Sequence, residues 1–284
     1  MSIEVHILGT SSARPTSIRQ VSGNLISCHD GIVVVDAGEG FQTRFFEQRK
    51  RMKQYDKYHL KPSKVSALCL THGHLDHTWG VLPWLQSLAL DNRHQPLLVL
   101  GPTTSQVIDA LLSEQPLPND IHKSDLAIQY RFWHQLGATS SGLGYPIRWI
   151  LGAVDVGRWV EFLDDGQIIE LTEMPQPEGW RKNHIAALST IHTTPSCAWQ
   201  VSSSGSPGKF DRVKAKQLAL SEAEKGALAS GEDIQHNGKL LKSHDFRGEP
   251  MSPLSVVISG DTAEMAPGIT SLEQCSLLVH EATF

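Results

Sequence analysis

An α/β fold, with sheets covered by helices, is what this 284-residue sequence predicts. Short apolar runs of strand length keep ending in Gly, Asp, His or Thr, and stretches of helical spacing fall between them. The order strand, loop, helix, strand, helix over the first 112 residues argues for layers rather than for a pure sheet protein.

Residues 3–8, IEVHIL, read as a strand ended by Gly9 and the small-residue turn GTSSARPT. GIVVVD, 31–36, reads as a buried strand running into the tight turn Asp36, Ala37, Gly38, Glu39, Gly40. Helical spacing with charge on one side predicts a helix from Phe41 to Tyr58. VSALCL, 65–70, is a second buried strand, followed at once by THGHLDHTWG. VLPWLQSLAL, 81–90, suits a helix starting near Pro83, because proline in a first turn gives up no helical hydrogen bond. LLVLG, 97–101, is the next strand, and Ser105 to Leu112 the next helix.

From Asp120 to Asn183 the chain is rich in aromatics: Tyr130, Phe132, Trp133, Tyr145, Trp149, Trp159, Phe162 and Trp180. Its pieces read as short strands, such as RWVEFL and QIIELT, joined by glycine turns. Strand-spaced aromatics predict core, with base stacking as the alternative. AALSTIH, 186–192, returns to a strand. Residues 203–250 carry lysines and few large apolar side chains, so they are expected to protrude or to cover little core. VVISGD, 256–261, and SLLVHEATF, 276–284, are apolar strands ending in polar residues.

Hydrophobic residues at 40% and charged ones at 19% exclude wholesale disorder. A formal charge of −5, from 25 basic and 30 acidic residues, excludes a whole-surface nucleic-acid binder and leaves room for a local basic patch. Cys28, Cys69, Cys197 and Cys275 form no CxxC pair, which points to free thiols in a reducing compartment. The first ten residues lack a leader pattern, and no apolar run approaches the roughly 20 residues that cross a bilayer. The expectation is a soluble intracellular protein without membrane attachment, in the cytoplasm, or in the nucleus or an organelle if eukaryotic.

Chemistry is concentrated in the 14 histidines. His72, His74, Asp76 and His77 directly follow a buried strand. Residues i and i+2 of extended backbone share a side, and the following turn returns i+4 and i+5 toward them. Three imidazoles and a carboxylate within six residues match the ligands of zinc, with manganese or iron as alternatives. One loop cannot complete two coordination shells, so further ligands are sought at later strand ends. His192 and Asp261 qualify, since Gly260 allows the tight turn that points Asp261 inward.

The sequence also carries HILGTSSARPT near its start, VVVDAGEGFQTR at 33–44, THGHLDHTWG at 71–80 and IHTTPSCAW at 191–199. PGKFDRVKAKQLAL at 207–220, ISGDT at 258–262 and VHEATF at 279–284 complete an ordered set spanning almost the whole chain. In that set it resembles the metallo-β-lactamase fold and, within it, the ribonuclease Z family of tRNA 3'-processing endonucleases. HxHxDH alone identifies only the superfamily, whereas DAGEG, PGKFD, SGDT and HEATF together are far more specific.

The resemblance implies an αββα sandwich over residues 1–284, with a protruding tRNA-binding arm inserted at about 203–250. It implies that His72, His74 and His192 bind a first zinc, that Asp76 and His77 bind a second, and that Asp261 bridges them. Asp76 would also orient or deprotonate the attacking water. His280 would protonate the leaving oxygen, oriented by Glu281, and Asp36 would fix the histidine loop from beneath by hydrogen bonds. Lys209, Arg212, Lys214 and Lys216 of the arm are candidates for phosphate contact, with a merely solvated surface as the alternative. Precursor tRNA is the implied substrate, a homodimer the implied assembly, and two zinc ions per chain the implied cofactor when the last ligand is present.

There are two departures from the family pattern. The second zinc of the family normally takes another histidine several dozen residues beyond HEATF, whereas this sequence stops at Phe284, so a chain truncated at its C-terminus is expected. The region 120–183 reads as a long insertion that alters specificity. Two zincs would lower the pKa of a bridging water for in-line attack on a phosphodiester. A small-molecule phosphodiesterase or related hydrolase, and a catalytically silent RNA-binding homologue, are the competing functions.

Overall fold

Two-residue alternation in the apolar runs sorts the side chains into layers. The computed structural model describes residues 2–55, 60–205, 207–263 and 266–282. They fall into two units, Ser2–Ser202 with Ser255–Phe284, and Ser203–Leu254.

The larger unit contains a mixed sheet of eight strands in sequential order: β1 (Glu4–Gly9), β2 (Gly23–Ser27), β3 (Ile32–Ala37), β4 (Val65–Cys69), β5 (Leu97–Pro102), β6 (Ile147–Ala153), β7 (Arg158–Phe162) and β8 (Ile168–Leu171). Strands β3 to β6 run parallel, and antiparallel pairs flank them on both sides. Helices α1 (Phe41–Gln54), α2 (Leu75–Thr78), α3 (Val81–Leu90), α4 (Ser105–Leu112), α5 (Leu126–Gln135) and α6 (Ser140–Leu143) lie in the crossovers. A second sheet joins β9 (Asn183–Ser189) and β10 (Cys197–Ser203) to β13 (Leu254–Ile258) and β14 (Leu277–Val279), in the order β14, β13, β10, β9.

Alternate residues of one strand serve different cores. Val34, Leu68 and Val99 pack with Phe45, Trp84, Leu85 and Ile108 under the helices. Their neighbours Val33, Val35, Ala67, Cys69, Leu98 and Leu100 pack with Ile185, Trp199, Val201, Val256 and Ile258 between the sheets. The predicted sequence of layers follows from this sorting. Over the second sheet, the helix of the described residues is the short α9 (Pro267–Thr270), whose Gly268 lies against Ser189 of β9.

Several elements differ from expectation. Helix α1 ends at Gln54, and residues 56–58 of the expected helix lie outside the described residues. Residues 126–135 and 140–143 are helices rather than strands, with Leu126, Ala127, Tyr130 and Trp133 on one buried face. That spacing is helical, and the side chains of Asp125 and Thr139 cap the two helices. The aromatic region is core at Tyr130, Trp133, Tyr145, Trp149, Trp159 and Phe162, while Phe132 is 55% exposed. RWVEFL and QIIELT do form strands, β7 and β8. Strand β9 ends at Ser189, which leaves His192 in the following loop. The final apolar run yields the three-residue β14, paired parallel to β13 at a sheet edge, with Leu277 and Leu278 more than 40% exposed. Thr283 and Phe284 lie outside the described residues.

The smaller unit, expected to cover little core, has one of its own. Helices α7 (Arg212–Gln217) and α8 (Glu222–Ser230) and the hairpin of β11 (Ile234–His236) and β12 (Lys239–Leu241) surround Ala215, Leu220, Leu228 and Phe246. Ser221 and Glu224 form a capping box at the start of α8, and the hairpin turns through Asn237 and Gly238, both at positive φ. All four cysteines are free. No helix of the described residues is long and apolar enough to cross a membrane.

Candidate metal centre

The carboxyl ends of β3 and β4 meet at Asp36. Its φ of +61° lies in the left-handed region that side chains other than glycine and asparagine rarely adopt, and its carboxylate is fully buried. Four donors hold it there. The Thr71 backbone N–H lies at 2.8 Å, the Thr71 hydroxyl at 2.9 Å, the Ser22 hydroxyl at 3.1 Å and His77 Nδ1 at 2.7 Å. The turn 36–40 also seats the histidine loop: the Gly80 N–H donates to Ala37 at 2.8 Å, and a Cβ on Gly38 would lie 1.9 Å from the Asp76 carbonyl oxygen.

These bonds decide which nitrogens face the cluster. With its hydrogen given to Asp36, the Thr71 hydroxyl can only accept, so His72 Nδ1 donates to it at 3.1 Å and His72 Nε2 keeps its lone pair. His77 donates from Nδ1 to Asp36, which turns Nε2 toward Asp261. The Nε2 atoms of His72 and His192 lie 3.0 and 3.2 Å from His74 Nδ1. Two nitrogen ligands of a tetrahedral zinc stand roughly 3.3 Å apart, so the spacing fits a shared ion. His77 Nε2 lies 3.3 Å from Asp261 Oδ1 and 3.7 Å from Asp76 Oδ2. The ligating atoms of His72, His74 and His192, and those of His72, His77 and Asp261, each fall within 4.8 Å of one another. His72 thus belongs to both groups, and Asp76 to neither.

Electrostatics favour a cation here. Burial, and then the neighbouring His77, pushes the His72 pKa down to about 2, and burial with His192 lowers that of His74. Both imidazoles are therefore neutral at pH 7, the form that binds metal. His77 behaves oppositely: burial lowers its pKa, but Asp36 and then Asp261 outweigh burial and raise it to about 10. Burial raises the pKa of Asp261, yet the hydrogen bond and charge of His77 bring it down to about 2. A proton on His77 balances two carboxylates, and a divalent cation bound here would displace that proton.

The second sheet delivers the remaining candidate ligands. Cys197 N–H donates to the Thr71 carbonyl at 2.9 Å, and Trp199 Nε1 to that of Leu70 at 3.0 Å, which ties β10 to the end of β4. The Ile191 N–H donates to Thr262 Oγ1 at 3.1 Å, and the Ala263 N–H to the Ile191 carbonyl at 2.7 Å, so the His192 and Asp261 loops hold each other. Gly260 supplies the expected tight turn, with φ of +61° and no room for a Cβ, which would sit 2.5 Å from Thr71. A cleft of about 520 Å³ reaches His192, and its lining residues include Thr103, Thr104, Ser105 and Thr193.

His280 is exposed at the end of β14 and donates from Nδ1 to the Glu281 backbone carbonyl at 2.6 Å, so this bond uses the backbone of Glu281 rather than its carboxylate. The Ser259 hydroxyl, two residues before Asp261, accepts from the Glu281 N–H at 3.3 Å. In the smaller unit Lys209, Arg212 and Lys216 are exposed. Lys214 differs from them, because its ammonium donates to the Asp245 carbonyl at 2.7 Å and lies 4.9 Å from the Phe246 ring centre. Reading the residues alone missed Ser22 and Thr71, which anchor Asp36, and His122, whose ring stands against His74. Thr71 was signalled by its place before the first histidine; nothing local signalled the other two.

The chain belongs to the metallo-beta-lactamase superfamily, whose pattern matches residues 18–175. Along its whole length it is most informatively compared with proteins named Ribonuclease Z. That of Myxococcus xanthus (strain DK1622) is 26% identical over 285 residues, covering 99% of this chain and 75% of the relative. That of Haloferax volcanii is 27% identical over 286 residues, covering 100% and 74%. The crystal structure of a long form RNase Z from yeast aligns with 99% of this chain and 32% of its own, at a TM-score of 0.53 and 14% identity, and so shares the fold.

Proposed function

We propose that this protein is a metal-dependent endoribonuclease that removes the 3' trailer from precursor tRNA by hydrolysing a phosphodiester. The observation that carries the reading is the pair of ligand groups sharing His72, in a chain whose full length resembles Ribonuclease Z. Two zinc ions are the proposed cofactor; when bound, they supply a nucleophile from water near neutral pH and positive charge to meet the phosphate.

The side chains divide the remaining work. His72, His74 and His192 hold one ion, and His77, Asp261 and Asp76 the other. Asp76, partly exposed at the rim, takes the proton of the attacking water, and Asp36 keeps His77 oriented from below. His280 carries a proton to the departing ribose oxygen, held through Nδ1 by the Glu281 carbonyl. Residues 203–250 serve as the tRNA-contacting arm, with Lys209, Arg212 and Lys216 meeting phosphates. A homodimer, and a reducing compartment suited to free thiols, complete the proposal.

The test is metal content with RNA cleavage. In a chain that carries the last ligand of the second site, dialysed protein should hold close to two zincs and release the trailer from a precursor tRNA. His72→Ala, His74→Ala and His192→Ala should each lose metal and cleavage together. Wild-type zinc retained by all three variants would refute the site.

A further inference from the structure

One more imidazole stands against the cluster. His122, in the loop between α4 and α5, has its ring centre 5.9 Å from that of His74, in an edge-to-face arrangement. It is exposed, and among the described residues it belongs to neither group of converging ligand atoms. Its Nδ1 accepts the Ser124 N–H at 3.2 Å. An imidazole that accepts at Nδ1 carries its proton on Nε2 when neutral, so the outer nitrogen is a donor. Among the described residues that donor has no partner.

The loop is anchored directly after this donor. Gly73, between the ligands His72 and His74, lies so close to Ser124 that a Cβ there would stand 1.7 Å from its carbonyl oxygen. Gln129 Nε2 donates to the carbonyls of both Gly73 and Ser124. Asp125 is buried, accepts from the Thr103 hydroxyl at 3.0 Å, and caps α5 through the Ala127 N–H at 2.8 Å. Thr103 also lines the cleft that reaches His192. The placement of His122 beside His74 is therefore built into the fold, in the region whose sequence reads as an insertion.

We infer that His122 contacts the substrate, donating from Nε2 to a non-bridging phosphate oxygen of the nucleotide that flanks the scissile bond on the His74 side. The neighbouring Lys123, also exposed, adds positive charge to the same loop. This rests on the nuclease reading given above. A hydrogen bond to a charged oxygen is one of the stronger kinds, and its loss costs about tenfold or more in kcat/KM.

The experiment compares His122→Ala and His122→Gln in the zinc-loaded protein, on precursor tRNA and on bis(p-nitrophenyl) phosphate, with bound zinc and RNA affinity measured in parallel. The expected result is a loss of about tenfold or more on RNA for the alanine variant, a smaller loss on the small diester, which has no flanking phosphate, and wild-type zinc. Glutamine, which keeps an amide donor, should recover part of the RNA cleavage. RNA cleavage and affinity equal to wild type in His122→Ala, or zinc loss with equal decline on both substrates, would overturn the inference while leaving the nuclease reading intact. Wild-type protein that binds zinc and hydrolyses the small diester but leaves precursor tRNA uncut would overturn the nuclease reading, and this inference with it.

Discussion

His77 Nδ1 lies 2.7 Å from Asp36 Oδ2, and both side chains are buried. This one contact links the strained end of β3 to the loop that carries four of the candidate ligands. It also sets the tautomer of His77, because a nitrogen that donates to a carboxylate leaves the other free to bind metal.

Replacing Asp36 by asparagine keeps the shape and removes the charge. Asp36→Asn should weaken metal binding by about 10- to 100-fold, the usual effect of losing a carboxylate behind a ligand histidine. Competition with a chromophoric chelator measures this. Unchanged zinc affinity would show that Thr71 and Ser22 suffice to place the loop.

Acid sensitivity should have a component far from the metal centre. Burial raises the Asp30 pKa, but the backbone N–H groups of Lys182, Arg181 and Asn183, with His29, bring it down to about 2 from 3.8. A carboxylate with a depressed folded-state pKa binds fewer protons than in the unfolded chain, so its contribution is complete above pH 3.8 and is lost as pH falls through about 2. Asp30→Asn should therefore be less stable than the parent at neutral pH, with the difference closing toward pH 2. Denaturant unfolding at a series of pH values checks it, and a difference constant with pH would contradict the account.

A proton donor is needed only by a poor leaving group. In a chain that carries the last ligand of the second site, His280→Ala should keep its zinc and its affinity for precursor tRNA, yet lose on the order of a hundredfold in single-turnover rate. Nitrophenolate departs without a proton, so hydrolysis of a nitrophenyl diester should fall much less. Equal losses on the two substrates would return His280 to a supporting role.

The basic residues of the smaller unit should separate by role. Lys209→Ala, Arg212→Ala and Lys216→Ala together should flatten the dependence of tRNA affinity on salt, by up to about 0.7 to 0.9 in log–log slope per lost phosphate contact, with unfolding unchanged. Lys214→Ala should instead lower the stability of the Ser203–Leu254 unit, because it loses the Asp245 carbonyl bond and the Phe246 contact. Calorimetry with filter-binding titrations distinguishes the two, and a salt slope unmoved by the triple variant would remove these residues from the RNA interface.

The sequence by itself determined the layers and nominated the candidate ligands. Apolar runs such as GIVVVD and VSALCL leave no alternative to burial on both faces, and three histidines with an aspartate in six residues have few uses other than a metal. Local reading failed where the signal was not local. Tyr130 and Trp133 looked like strand aromatics because their helical spacing appears only when Leu126 and Ala127 are counted on the same face. His192 was chosen for the end of a strand and instead lies in a loop, held by Thr262 and Ala263 from another part of the chain.

Tertiary structure alone decided that His72 belongs to both ligand groups, that Lys214 packs on Phe246, and that His122 faces His74. In each case the partner is distant in sequence or its direction is set by a hydrogen bond that no spacing encodes. Residue types and periodicity carry the free energy of burial, which is local and additive enough to read. The aim of a side chain depends on which backbone groups are already satisfied around it, and that is known only once the chain has packed.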